Sequence, residues 1–195
     1  METEVEKKEI FYFSKAGKEN TSFTLDLAVE RGKAADIPFI VVATRSGETA
    51  FLLADKAKKA GYNGSLVAVT YHAGFLGEDR LSLPPSKKEE LEKLGVTVVI
   101  SSHALSGVNR SFRQKFGGVS IPEVIAESYR RISEGFKVAI EIAIMAADGG
   151  AIPTDREVIS LGGTGRGVDT GLVIKAAHQN SFFDLKVKEI FCYPK

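Results

Sequence analysis

Short runs rich in β-branched residues alternate along this chain with stretches of helical periodicity, and that alternation constrains the fold most. Residues 10–13, 39–43, 65–70, 96–100, 157–161, 171–176 and 185–192 read as strands. Between them, residues 20–34, 48–60, 86–94, 122–132 and 138–147 read as helices, the last apolar nearly all the way round. Strands that alternate with helices predict an α/β domain, its largely parallel sheet covered on both faces. The linker between the last two strands, residues 178–184, is too short to need a helix, so this pair is expected to run antiparallel at a sheet edge. With 195 residues the chain is expected to form one domain around one well-buried core.

In an open parallel sheet the segments that follow the strands crowd along one edge, where ligands bind. Here that edge collects Thr44-Arg45-Ser46-Gly47, Thr70-Tyr71-His72-Ala73-Gly74-Phe75, Ser101-Ser102-His103-Ala104-Leu105-Ser106-Gly107 and Gly162-Gly163-Thr164-Gly165. The opposite strand ends carry plainer residues. The first of these segments has the clearest chemistry. The strand Phe39-Ile40-Val41-Val42-Ala43 runs into Thr44-Arg45-Ser46-Gly47-Glu48-Thr49, which opens a helix. Such a turn gathers backbone N–H groups, hydroxyls and the positive end of a helix dipole at one point, an arrangement suited to a phosphate. Glu48 opposes an anion unless it points away, and Arg45 offers compensating charge.

The Gly162-Gly163-Thr164-Gly165-Arg166-Gly167 run is not a dinucleotide fingerprint, because a strand and not a helix follows it. It reads either as a flexible connector or as a cover over a ligand, with Arg166 and Asp169 the groups expected to touch that ligand. The long 101–120 connection is also expected to help cover a site. His72, His103 and His178 each follow an apolar strand, yet no carboxylate or cysteine pattern accompanies them, so no metal site is expected. His72 and His103 are instead candidates for hydrogen bonding or acid–base work.

The net charge of +1 gives no electrostatic case for nucleic acid or an anionic membrane. The lone Cys192 excludes an internal disulfide framework and reads as an inert packed thiol. Residues 1–8 are charged and lack the apolar run of a secretion leader, and no stretch is long enough for a spanning helix. A cytoplasmic location is the expectation.

The motif Val42-Ala43-Thr44-Arg45-Ser46-Gly47-Glu48-Thr49-Ala50-Phe51-Leu52-Leu53-Ala54, continuing to Leu66-Val67-Ala68-Val69-Thr70, resembles the C-terminal domain of pyruvate kinase. The resemblance is specific over residues 39–70 and looser at residues 170–173 and 182–194. Nothing here resembles that enzyme's catalytic barrel, so kinase activity does not carry over. The chain as a whole is similar to stand-alone proteins of this domain type. The resemblance implies a three-layer α/β/α sandwich over residues 1–195, with a mostly parallel mixed sheet and an antiparallel C-terminal edge strand. It also implies that Thr44, Ser46, Gly47 and Thr49 hold a ligand phosphate.

Stand-alone relatives accommodate flavin mononucleotide (FMN), so FMN is the leading ligand implied, with flavin-linked oxidoreduction as the activity that would follow. Its ring would need a flat wall and backbone partners. Candidates for these are His72, Phe75, Leu105, Ser106 and Gly107, with Gly163, Thr164, Gly165 and Arg166. Two other classes stand beside this one. The turn also matches the phosphate turn of sugar isomerase domains, with Glu48 or His72 as the proton shuttle. A third reading is a non-catalytic regulatory module that self-associates through an open sheet edge or its apolar helices.

Overall fold

The computed structural model describes residues 5–77 and 79–195. Seven strands form one sheet: β1 (Phe11–Phe13), β2 (Phe39–Ala43), β3 (Ser65–Tyr71), β4 (Val96–Ser101), β5 (Glu157–Gly162), β6 (Thr170–Lys175) and β7 (Lys186–Pro194). Their spatial order is β1-β7-β6-β5-β2-β3-β4. β2 pairs in parallel with β3 and β5, β3 with β4, and β1 with β7. β6 alone runs against its neighbours β5 and β7. The antiparallel pair β6–β7 thus lies toward one edge, as its short linker predicts, and the three-residue β1 adds itself outside β7.

The α-helices are α1 (Thr21–Ala34), α2 (Glu48–Ala60), α3 (Pro85–Lys93), α4 (Asn109–Phe116), α5 (Ile121–Arg130) and α6 (Glu134–Asp148). Strand residues alternate between two cores. Ile40, Val42, Leu66 and Ala68 face one way and pack with Leu25, Val29, Leu53 and Leu91 of α1, α2 and α3. Val41, Val67 and Val69 face the other way and pack with Ile140, Ile144 and Ala143 of α6. Both faces of the sheet are therefore dry, and the result is a three-layer α/β/α sandwich. Among the described residues no helix is long and apolar enough to cross a membrane.

α6 does most to seal its side. Ser133 caps it by accepting the Phe136 N–H at 2.9 Å. Its isoleucines are almost wholly buried, each contributing about 1.5–3 kcal/mol. The Ser160 hydroxyl of β5 donates to the Ala139 carbonyl at 2.7 Å. One residue pair sets how close helix and sheet come: any side chain at Gly162 would run into the Gly135 carbonyl.

Two elements differ from the sequence reading. α6 starts at Glu134 and not near residue 138, because the Ser133 cap outweighs the low helix propensity of Gly135. The 101–120 connection contains α4, which buries none of its residues and so lacks the broad apolar stripe of a core-facing helix.

Candidate functional site

A cleft of about 1110 Å³ opens where β2, β3, β4 and β5 end, roofed by α4 and α5 and floored by α6. Ser46 and Gly163 both line it, so the turns that follow separate strands meet at one rim.

The first wall is the 44–49 turn. The Thr44 N–H donates to the Val69 carbonyl at 2.9 Å, carrying the β2–β3 ladder one residue past the strand. The Thr44 hydroxyl oxygen then accepts the Gly47 N–H at 3.1 Å. That bond bends the chain through a left-handed Gly47, φ +93°, directly into α2. First-turn amides of a helix have no intrahelical acceptors, and they sit at the positive end of the dipole. Thr44 and Thr49 are buried, Ser46 is half-buried and Arg45 is exposed. Glu48 also lines the cleft and meets the Lys18 ammonium at 3.3 Å, an exposed pair that offsets part of its charge.

The second wall is the 163–167 loop between β5 and β6. It is pinned from beneath: the Asp169 N–H donates to the Gly162 carbonyl at 3.0 Å and the Val168 N–H to the Thr21 hydroxyl at 3.1 Å. The Asp169 carboxylate accepts the Gly17 N–H at 3.0 Å and the Thr170 hydroxyl at 3.1 Å. Asp169 is fully buried and does not line the cleft. Its work is to anchor the loop, while Gly163, Gly165, Arg166 and Gly167 present the loop's face.

The third wall is aromatic. Phe75 and His103 stack at 4.3 Å and 25°, and Tyr71 lies over His103 at 5.3 Å and 29°. The Arg110 guanidinium rests 4.6 Å from the Phe75 ring centre. Burial lowers the His103 pKa to about 4, with Glu141 working against the shift and Lys137, His72 and Arg110 adding to it. The ring is therefore neutral at pH 7, and its Nδ1 is buried without a hydrogen-bond partner in the protein.

The floor holds charge that the sequence reading did not place there. Lys137 and Glu141, one turn apart on α6, form an ion pair and are 6% and 2% exposed. Glu141 also accepts the Leu105 N–H at 2.9 Å. Around the rim, Arg113 pairs with Glu123, and Arg130 with Glu127 and Glu134. Arg45, Arg110 and Arg166 enter no ion pair among the described residues.

Of the residues singled out from sequence, the cleft brings together Thr44, Arg45, Ser46, Glu48, Thr49, Phe75, His103, Leu105, Ser106, Gly163, Gly165 and Arg166. Gly47, His72, Gly107 and Thr164 stand behind or beside these and do not form its walls. His178 is far from it in role, its Nδ1 3.2 Å from the Asp148 carboxylate. The residues missed were Tyr71, Arg110, Lys137 and Glu141. A signal existed for the last two: charged residues four apart within an otherwise apolar helix must be paired if buried.

No protein-family description matches this chain. Among solved structures it is similar to a Cryptosporidium parvum pyruvate kinase in complex with ADP, with TM-score 0.38 and 14% identity. That match covers 88% of this chain and 23% of the kinase, so the chain spans under a quarter of the enzyme's length. The α/β assignment rests on the sheet itself and not on that likeness.

Proposed function

We propose that this cleft binds a ligand carrying both a phosphate and a flat ring, with FMN the foremost candidate. One observation carries the reading: a hydroxyl-rich helix N-terminus and a stacked aromatic wall open into the same cavity. Its volume of about 1110 Å³ lies just above the upper end of the range of about 300–1,000 Å³ usual for small-ligand pockets. The phosphate would rest on the 44–49 turn, held by the hydroxyls of Ser46 and Thr49, with Arg45 and Arg166 supplying charge. The ring would lie along Tyr71, Phe75 and His103, with Leu105 and Ser106 at its edge.

These residues fit a mononucleotide, because neutral His103 adds a flat face without adding a charge. When bound, the flavin would supply redox chemistry that the side chains lack, which would make this a flavin-linked oxidoreductase. The chain's own part is to fix the phosphate, orient the ring and exclude water from its stacked face.

A sugar-phosphate isomerase would need a proton shuttle beside the sugar. His72 is off the cleft wall, and Glu48, which lines the cleft, is already paired with Lys18, which favours the mononucleotide over the sugar. Visible absorbance and mass spectrometry of whatever leaves the denatured protein test the proposal, together with titration of the apoprotein with FMN. Saturable uptake with a flavin spectrum is expected. Colourless protein that takes up no flavin, yet is stabilised by sugar phosphates in a thermal-shift screen, would replace this reading with the isomerase one. A regulatory module would behave the same before and after Ser46→Ala and Thr49→Ala.

A further inference from the structure

The cleft does not end at the groups assigned to the nucleotide. It also reaches α6, where two neighbouring rows of side chains line it. Lys137 and Glu141 make one row, and Val138, Ile142 and Met145 make the other. A buried ion pair is thus set beside an apolar strip inside a cavity.

The pair is not saturated. An ammonium carries three N–H donors. That of Lys137 has one acceptor among the described residues, the Glu141 carboxylate, which leaves two donors unused. Buried donors are matched as a rule, so the acceptor has to come from the cleft. His103 adds a second unmatched group. Its Nδ1 is buried without a partner, and its ring feels the charges of both Lys137 and Glu141.

We infer that this end of the cleft receives a second molecule, an apolar neutral carbonyl compound whose oxygen accepts from Lys137. Its carbon body would lie against Val138, Ile142 and Met145. The pair decides the charge. Lys137 and Glu141 sum to zero, so an anion arriving here would meet a carboxylate as well as an ammonium. Glu141 cannot swing aside without releasing the Leu105 N–H, held at 2.9 Å. A carbonyl oxygen needs only a donor. The cleft has room, since about 1110 Å³ lies above the range usual for one small ligand. Such a compound would be the substrate class of the proposed function, on which the inference rests in one respect, that the cleft is a ligand site.

Methionine methyl groups labelled with carbon-13 give a local probe, because Met145 lines the cleft and the only other methionine is Met1. The full chain, with and without FMN, is titrated with acetophenone, benzoate and ethylbenzene. In both states acetophenone should shift the Met145 signal saturably, with a dissociation constant of about 0.1–1 mM. Benzoate and ethylbenzene should each bind about tenfold more weakly, the first through its charge and the second for want of an acceptor. Lys137→Met with Glu141→Leu should erase the difference between acetophenone and ethylbenzene. The three probes on the parent protein give their answer whether or not that variant folds. An unmoved Met145 signal, equal affinity for acetophenone and ethylbenzene, or tighter binding of benzoate would overturn the inference. So would a preference that survives in the double variant, or FMN that abolishes acetophenone binding, which would assign Lys137 to the flavin. Acetophenone binding by a chain that takes up no FMN would uphold the inference and remove the flavin reading alone.

Discussion

Glu141 Oε1 accepts the Leu105 backbone N–H at 2.9 Å, while the second oxygen of the same carboxylate takes the Lys137 ammonium. One buried side chain thus ties the core helix to the loop that carries His103 and Ser106. The pair is costly to desolvate, and its two partners are stable there only together.

Glu141→Leu is therefore expected to destabilise the protein by about 3–5 kcal/mol, because it strands the Lys137 charge and frees the Leu105 N–H. Lys137→Met combined with Glu141→Leu should recover most of that loss, since no uncompensated charge remains. Urea unfolding of the three proteins measures both effects. If the single and double variants are equally destabilised, the pair is not coupled as the distances imply.

The 44–49 turn makes a separable prediction. Thr44→Val removes the acceptor of the Gly47 N–H at the start of α2 and should cost about 1 kcal/mol. Ser46→Ala with Thr49→Ala removes no side-chain hydrogen bond found among the described residues and should leave the unfolding midpoint nearly unchanged. Its effect should appear in FMN titration as an affinity loss of at least about tenfold, as expected when hydrogen bonds to a charged group are lost. Equal FMN affinity for this variant and the parent would remove the phosphate from the turn.

Much of this was legible in the sequence because parallel strands with dry faces leave an unmistakable β-branched signature, and Phe39-Ile40-Val41-Val42-Ala43 is buried on both sides. The rim was legible too, since topology alone brings the ends of β2, β3, β4 and β5 together. The particular partners were not. Asp169 looked like a ligand contact by its place beside a glycine-rich loop, yet its carboxylate is used up by Gly17, 152 residues away. Glu48 looked hostile to an anion, and the Lys18 that offsets part of its charge could not be paired with it from sequence. α4 was hidden because it is short and polar, with Phe112 and Phe116 its only apolar residues, too few to mark a helical stripe.

Cys192 offers a probe of global opening. Burial pushes its thiol pKa up to about 12, and its Sγ lies 4.0 Å from the Thr24 hydroxyl. Only a thiolate attacks a disulfide reagent, so the folded protein should show no reactive thiol at neutral pH. In denaturant one thiol per chain should react, and under native conditions the labelling rate should track whole-molecule unfolding. Fast labelling of native protein would mean that β7 opens on its own.

His103 sets the final expectation, a loss of stability on mild acidification. Its folded pKa of about 4 lies below the ordinary value of 6.5, chiefly because the half-buried ring is desolvated beside Tyr71 and Phe75. Above pH 6.5 the imidazole is neutral in both states and costs nothing. As pH falls from 6.5 toward 4 the unfolded chain takes up a proton that the folded chain refuses, so the unfolded state gains and stability declines. The distance from 6.5 down to about 4 sets an upper bound of about 3–4 kcal/mol, which solvent at the exposed edge of the ring reduces. His103→Phe keeps the stacked wall and removes the titrating group. Chemical denaturation at pH 7, 6, 5 and 4 should therefore give a shallower decline for that variant than for the parent. Parallel curves for the two proteins would show that His103 titrates normally and is not shielded as the stack requires.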